Sequence, residues 1–321
     1  MAESERLGGP PVVLHLLVGL FRGWCSGAEV RAKHRLGLPA ADLVGESSFC
    51  LGVLEVKSSG GSLEHRAAVK LAELSLHLCS GELSDAVAVA QELRSMAAEV
   101  QDLRLHRLLL SIQVTVQLLR LALDEAMRAA MELLAAAQRR RDRNSEAFAW
   151  LRIAEAHRQR EKGGGTASTA EETLQAAERS CELYALGSKE SKEMQRGEAT
   201  AKVEAAKACL RLGRYRQGSS LASEAMEIFR NLNFVHRLTG ALEVELEAHR
   251  GLMEPMIGLQ TANRELQLLR SGSERTRGQL QAEAEILESI ARAHGSLSEP
   301  LGAVRNALLA ADLRKEIKDE V

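Results

Sequence analysis

A pattern of small and apolar residues recurs along this chain about every forty residues. One series of positions, spaced by 40, 40, 52, 40 and 45 residues, comprises Leu74, Val114, Ala154, Ala206, Leu246 and Ala291. A second series follows it with spacings of 40, 47, 45, 40 and 45 residues and comprises Ala86, Ala126, Thr173, Gly218, Gly258 and Ala303. A constant period of this length is typical of arrays in which each repeat is one supersecondary unit. We therefore expect a repeat array.

The departures from a spacing of 40 fall in segments of loop composition. Seven extra residues match GGGTAST at 163–169, and two insertions of five match GSKESKE at 187–193 and SGSERTRG at 271–278. Segments rich in Gly, Ser and charged residues favour turns and loops. Insertions that leave the helices in phase are tolerated by a solenoid of helical hairpins.

Local signals predict two helices in each unit. Gly81 and Gly213 follow helical apolar patterns at positions suited to a turn. Pro255 and Pro300 stand at the predicted first turn of a second helix, where a missing amide donor costs nothing. Ser84 and Ser298 are the predicted N-terminal caps of two second helices.

The units resemble tetratricopeptide repeats, in the longer form of 40 to 45 residues found in kinesin light chains and similar adaptor proteins. Trp150 matches the aromatic position of a first helix, and Gly81 and Gly213 match the turn. The small packing positions that carry the rest of the resemblance are Ala154, Ala206 and Ala291 in first helices and Ala86, Ala126, Ala225, Ala303 and Ala310 in second helices.

This resemblance implies an all-α fold: a right-handed superhelical solenoid of about six antiparallel helix-turn-helix repeats. The predicted repeat domain is 63–321, with units at approximately 63–103, 104–143, 144–194, 195–235, 236–278 and 279–321. Residues 1–62 contain apolar runs but no clean unit, and we expect an irregular or partly helical segment there that covers the apolar first helices of units one and two.

Composition agrees with helices and excludes a global electrostatic attraction to nucleic acid or membrane. Aromatic residues make up only 3% of the chain, so strands lack the side chains they prefer. The formal net charge is −2, which supplies no general attraction to polyanions, and neither nucleic acid nor membrane is an expected partner. Five widely spaced cysteines without a CxxC pair indicate free thiols in a reducing compartment, the cytoplasm or alternatively the nucleus.

The apolar run PPVVLHLLVGLF at 10–21 is the one candidate targeting segment. It is shorter than the roughly 20 apolar residues that a membrane helix needs. Glu3 and Glu5 precede it and His15 interrupts it, which is unlike a signal peptide. We expect a buried or fraying N-terminal helix, with a signal peptide as the alternative.

Four histidines occupy one repeat position: His77, His157, His249 and His294. Neighbouring repeats place equivalent atoms roughly 15 to 20 Å apart, because packed helices lie 8 to 10 Å from each other. A zinc ion requires His nitrogens at about 2.0 to 2.1 Å, so the four cannot share a metal. We predict that they pack between helices, and we predict no metal site.

The strongest charge feature is a basic run formed by Arg139, Arg140, Arg141 and Arg143. It is either a docking patch for an acidic partner or import factor, or a solvated helix end whose cations complement the helix dipole.

The KGGGT stretch at 162–166 has the Lys before the glycines, unlike a phosphate-binding loop. No catalytic motif stands out, so the sequence predicts neither an enzyme nor a cofactor.

The predicted solenoid exposes a concave face lined by first helices, which suits a peptide or a helix of another protein. The resemblance implies these partner-binding positions: Glu155, Arg158, Lys207, Arg211, Glu247, Arg250, Glu288 and Arg292. The same residues could instead form a ladder of ion pairs between units. We expect a non-enzymatic protein-interaction scaffold; the alternatives are a cargo adaptor like kinesin light chain and a regulatory helical domain of a larger enzyme or signalling assembly.

At the C-terminal end of the array, either the charged tail is sufficient to keep the protein soluble, or a second copy stacks there as a homodimer.

Overall fold

The structure is a computed structural model that describes residues 83–100, 122–162, 167–188, 191–271 and 277–319, together with isolated helical residues between 70 and 118. The predicted N-terminal segment 1–62, its boundary with the repeats and the turn at Gly81 lie outside the described residues and stay predictions. The chain divides into two compact units, one up to Arg140 and one from Arg141 onward.

All ten continuous helices in the described part are α-helices of 16 to 20 residues. The first unit contains α1 (Leu83–Val100) and α2 (Leu123–Arg140). The second unit contains α3 (Arg143–Lys162), α4 (Ala167–Ala185), α5 (Lys192–Arg211), α6 (Tyr215–Asn231), α7 (Val235–Gly251), α8 (Pro255–Arg270), α9 (Arg277–Ser296) and α10 (Pro300–Asp319).

The second unit is a stack of helical hairpins. Helices α3 and α4, α5 and α6, α7 and α8, and α9 and α10 pack as consecutive pairs, and each second helix also packs against the first helix of the next pair. The first helices α3, α5, α7 and α9 also pack side by side in chain order. In the part of the chain that the structure describes, no Cα atoms of consecutive second helices come within 8 Å of each other. The prediction of an all-α hairpin array is confirmed.

Small side chains at the periodic positions let the helices approach closely. Leu74, Val114, Ala154 and Ala206 of the first series are fully buried, and Leu246 and Ala291 are half-buried. Ala86, Ala126 and Thr173 of the second series are also buried. At Gly197 in α5, an added Cβ would lie 2.4 Å from the buried ring of Tyr184, so this contact between α4 and α5 requires glycine.

The tight turns of the second unit share one backbone motif. At Met253, which has a φ of 61°, the amide donates to the carbonyl of Arg250, and the amide of Glu254 donates to the carbonyl of His249. These are the two hydrogen bonds of a Schellman C-cap. The same pattern recurs at Gly213, Asn233 and Ser298, all with positive φ.

Several helix boundaries differ from the sequence-based expectation. Ser298 is not a cap, because it holds the left-handed turn position two residues before Pro300 opens α10. Ser84 lies inside α1, which begins at Leu83. The predicted loops are shorter than expected: Ala167–Thr169 begin α4, Lys192 begins α5 and Arg277 begins α9. Pro255 and Pro300 do begin helices, as predicted.

Two glycine substitutions are expected to change stability in opposite directions. Gly213 has a φ of 72° and nothing within 4 Å of an added Cβ, so Gly213→Ala introduces only backbone strain, costing about 1 kcal/mol. Gly240 lies inside α7, also with nothing within 4 Å of an added Cβ, so Gly240→Ala is expected to stabilise by about 0.5 to 1 kcal/mol. Urea denaturation of the two variants measures both values. Equal effects of the same sign would contradict the assigned backbone conformations.

Candidate partner-binding surface

The side chains predicted to bind a partner lie on the side-by-side layer of first helices, which we call the first-helix face. Its predicted members come from α3 (Glu155 and Arg158), α5 (Lys207 and Arg211), α7 (Glu247 and Arg250) and α9 (Glu288 and Arg292). The structure brings these helices together but gives the eight side chains different surroundings.

Two of the eight predicted residues hold a buried carboxylate. Arg158 Nε lies 2.5 Å from Glu204 Oε2, and Lys207 Nζ lies 2.6 Å from Glu204 Oε1. Glu204 is 3% exposed. Burial acts to raise the pKa of Glu204, but the charges of Lys207 and Arg158 outweigh it and hold that pKa well below its ordinary value. This triad ties α3 to α5 and leaves neither cation free for a partner.

Glu155 is also buried and takes part in the packing of α3. Its carboxylate is 4% exposed and accepts a hydrogen bond from Arg152 at 2.5 Å. The guanidinium of Arg152 lies 4.7 Å from the centre of the Phe148 ring on the same helix, within the range of a cation–π interaction. We therefore do not count Glu155 among the accessible side chains.

The accessible charges lie on α7 and α9. Glu247 and Arg250 are 57% and 64% exposed, and an ion pair 3.4 Å long joins them to each other within α7. Arg292 is 65% exposed and reaches Glu243 of α7 at 2.6 Å. Ion pairs between exposed side chains contribute about 0 to 1 kcal/mol, so a partner could replace them at little cost.

The other two predicted residues differ. Glu288 pairs with Arg314 of α10 at 2.7 Å, and this pair joins the two helices of one hairpin. Arg211 is exposed in the last turn of α5. The first-helix face therefore carries ion pairs between units, while the side chains of Glu247, Arg250 and Arg292 on it stay more than half exposed.

Among the repeated histidines, His249 and His294 lie next to described hairpin turns, and His157 lies in the C-terminal half of α3. His294 Nδ1 lies 2.7 Å from Glu299 Oε2, and His157 Nδ1 lies 3.2 Å from Glu172 Oε2 on α4. Burial lowers the pKa of His157, although the charge of Glu172 opposes this shift. The described part of the chain contains no group of three His, Cys, Asp or Glu residues arranged to hold a metal.

A glutamate that was not among the predicted site residues accompanies two of these histidines. His249 and His294 are each followed five residues later by a glutamate, Glu254 and Glu299, which lies just after the left-handed turn residue. Glu254 Oε2 is 3.8 Å from His249 Nδ1. The His-x4-Glu spacing was visible in the sequence, but its meaning depends on a chain reversal that brings the two side chains together.

The residues of the basic run are all exposed: Arg139, Arg140, Arg141 and Arg143. Arg139 Nε donates to the carbonyl of Ala135 at 3.2 Å, near the C-terminus of α2. A cation at this position complements the partial negative charge of a helix C-terminus. The docking-patch and the solvated-helix-end interpretations of the basic run both stay predictions.

The described cysteines are poorly placed to react. Burial raises the pKa of the Cys181 thiol to about 12 and that of Cys209 to about 11. Since the thiolate is the nucleophile, both thiols are unreactive near neutral pH.

Within the described ranges, no helix has the length and low polarity required to cross a bilayer.

Comparison with known proteins shows the fold. No family model matches the chain, and no curated protein matches it. BtubC (BKLC) from P. vanneervenii is similar with a TM-score of 0.56 and 14% identity over 74% of this chain and 92% of that one. The quorum sensor NprR from B. thuringiensis, in its apo form, is similar with a TM-score of 0.52 and 10% identity over 95% of this chain and 97% of that one.

A third similar structure is a signal transduction ATPase with numerous domains and a tetratricopeptide repeat sensor, PH0952 from Pyrococcus horikoshii. Its TM-score is 0.63 at 12% identity, over 97% of this chain and 45% of that one. This chain therefore spans less than half of that protein. The structure has the architecture of tetratricopeptide-like helical repeat proteins, as the sequence resemblance implied.

Proposed function

We propose that this protein is a non-enzymatic scaffold that binds a peptide or helical segment of another protein on the first-helix face. The observation that carries the proposal is the pair Glu247 and Arg250. Both side chains are more than half exposed, and their mutual contact is long, at 3.4 Å. They present an acid and a base on the layer in which helices pack side by side.

The packing of the two layers supports this choice of face. Cα atoms of neighbouring first helices come within 8 Å of each other, whereas among the described residues of the second unit those of consecutive second helices do not. In a curved stack, the more closely spaced layer lies on the inner side. The inner side of a helical-repeat stack offers an extended surface along which a linear segment can contact several repeats.

The proposed contact residues are Arg211, Glu247, Arg250 and Arg292. A mixed set of charges selects a segment with complementary charges and contributes more to specificity and association rate than to affinity. A cargo adaptor or a regulatory domain would use the same face and would differ from a general scaffold only in its partner.

A charge-swap experiment tests the face. Peptides selected by display on the intact chain provide the probe. The variant Glu247→Arg/Arg250→Glu reverses the direction of the pair while the net charge and the three-residue spacing are kept. We expect binding of the selected peptides to weaken about tenfold, which corresponds to about 1.4 kcal/mol.

Helix α2 offers a matched control. Glu125 and Arg128 form a pair with the same residue order, the same spacing and the same 3.4 Å distance on a second helix. The swap Glu125→Arg/Arg128→Glu is expected to leave peptide affinity unchanged, with both variants retaining the helical circular dichroism of the parent. Equal affinities for all three proteins would refute the proposed face.

A further inference from the structure

Helix α10 carries an apolar face that no described helix covers. Leu301, Val304 and Leu308 are 86%, 57% and 62% exposed, and their spacing of three and four residues places them on one side of the helix. The opposite side is used within the hairpin, because Ala310, Leu313 and Ile317 are buried. The exposed side is therefore a separate surface, distinct from the packing of α10 on α9.

Comparison with α8 shows what this surface does elsewhere in the stack. The two helices align with an offset of 45 residues, since Pro255 and Pro300 both begin them. Leu259 in α8 is 6% exposed, whereas its counterpart in α10, Val304, is 57% exposed. Helix α9 packs on α8, but the structure describes no helix that packs in the same way on α10.

Two leucines make the face more apolar than its position in the repeat requires. Leu308 aligns with Asn263 of α8 and Ser223 of α6, both exposed polar residues. Leu309, which is 41% exposed, aligns with Arg264 of α8. Helices α6 and α8 thus carry exposed polar residues at these positions, while α10 places large apolar side chains there. An exposed stripe of this kind is typical of an interaction surface.

Charges on α10 indicate what the face binds. Arg305 and Asp312 lie on either side of Leu308 and Leu309, and both are exposed. If two copies of α10 cross antiparallel about a two-fold axis between residues 308 and 309, Arg305 of each copy lies opposite Asp312 of the other. The leucines then meet at the centre. About this axis the surface matches itself in charge at residues 305 and 312 and in apolar content at residues 308 and 309, which suits an isologous contact.

We propose that the face formed by Leu301, Val304, Arg305, Leu308 and Asp312 binds the same face of a second copy of this chain, with the two α10 helices antiparallel. The dimer forms through a surface separate from the first-helix face, so each copy keeps its own peptide-binding layer. Two linked binding layers would bind a partner with two segments more tightly than one layer does.

Mass measurements with charge variants test the dimer. Sedimentation equilibrium of the full chain is expected to give twice the chain mass of 34.9 kDa as concentration rises. Arg305→Asp and Asp312→Arg, each alone, place like charges opposite each other, and we expect each to weaken dimerisation about tenfold. The double variant Arg305→Asp/Asp312→Arg is expected to recover the dimer, because it restores both pairs with their signs exchanged.

Mixing provides a stricter test of the antiparallel arrangement. One single variant carries two acids at these positions and the other carries two bases, so an equimolar mixture is expected to dimerise better than either protein alone. Arg264→Asp on α8 is the control and should leave the dimer unchanged. If the unmodified chain stays at 34.9 kDa, or if the mixture gains nothing, the proposal is wrong.

A crosslinking experiment identifies the occupant directly. A photo-crosslinking amino acid at residue 308 is expected to join two copies through α10. Crosslinks within one chain to the apolar run 10–21 would instead show that the chain's own N-terminal segment covers the face, and would overturn the proposed dimer. Peptide binding by the charge variants separates this result from the proposed function, because the first-helix face is unchanged in them.

Discussion

Removing both cations around Glu204 is expected to destabilise the fold by about 3 to 5 kcal/mol, since a buried charge without a partner costs about that much. In the variant Arg158→Met/Lys207→Met, the carboxylate would keep its burial but lose the two contacts of 2.5 and 2.6 Å. Methionine retains most of the apolar stem of either side chain, so the loss of packing is small. The midpoint of urea denaturation at neutral pH measures the effect.

Replacing the carboxylate as well provides the control. In Arg158→Met/Glu204→Met/Lys207→Met the unpaired charge is gone, and a buried ion cluster replaced by apolar residues of similar size is often neutral in stability. We expect the triple variant to recover most of the loss. If the double variant were as stable as the parent, Glu204 would not be held by these two cations.

The same triad predicts a pH dependence. Because the folded-state pKa of Glu204 lies below its ordinary value of 4.5, its ionised form is the one that favours folding. Its contribution is therefore complete above that ordinary value, and it is lost as pH falls from there toward the folded-state pKa. The denaturation midpoint of the parent should fall across that acidic range more steeply than that of the triple variant. Equal slopes would contradict the assignment.

This triad also shows where sequence reasoning reached its limit. The period of forty residues was enough to place Arg158 and Lys207 on first helices. It could not show that both side chains converge on Glu204, because Glu204 and Arg158 are 46 residues apart and meet only when α3 and α5 pack. Periodicity identifies the face of a helix on which a residue lies, whereas the burial of its side chain depends on the residues that pack around it.

The apolar stripe on α10 illustrates the same limit. The spacing of Leu301, Val304 and Leu308 fits one side of a helix, but spacing alone does not distinguish a buried side from an exposed one. The exposure of these side chains could be recognised only in the structure, where α9 packs on α8 but no described helix packs in the same way on α10. By contrast, the turn at Gly213 and the first residues of α8 and α10 were predictable, because glycine and proline restrict or free the backbone locally.

The substitution Phe229→Ala is expected to lower the free energy of unfolding by about 3 to 5 kcal/mol, the usual range for removing a buried aromatic ring. Phe229 is 1% exposed in the last turns of α6, and its ring centre lies 6.3 Å from that of Phe234. The backbone carbonyl of Phe229 also accepts a hydrogen bond from the amide of Phe234 at 2.8 Å. The ring contact and this hydrogen bond therefore stabilise the same turn between α6 and α7. Phe229→Leu keeps most of the volume and should cost less than about 1.5 kcal/mol.

The location of the damage distinguishes a repeat array from a single cooperative core. In an array, stability is approximately a sum of repeat terms and nearest-neighbour terms, so Phe229→Ala should weaken α5, α6 and α7 more than α9 and α10. Native-state hydrogen exchange can measure this, because amides report the free energy of local opening. We expect exchange to accelerate strongly in α6 and α7 and little in α10. Uniform acceleration through all eight helices from α3 to α10 would show that the second unit unfolds as one body, which a sum of neighbour terms does not predict.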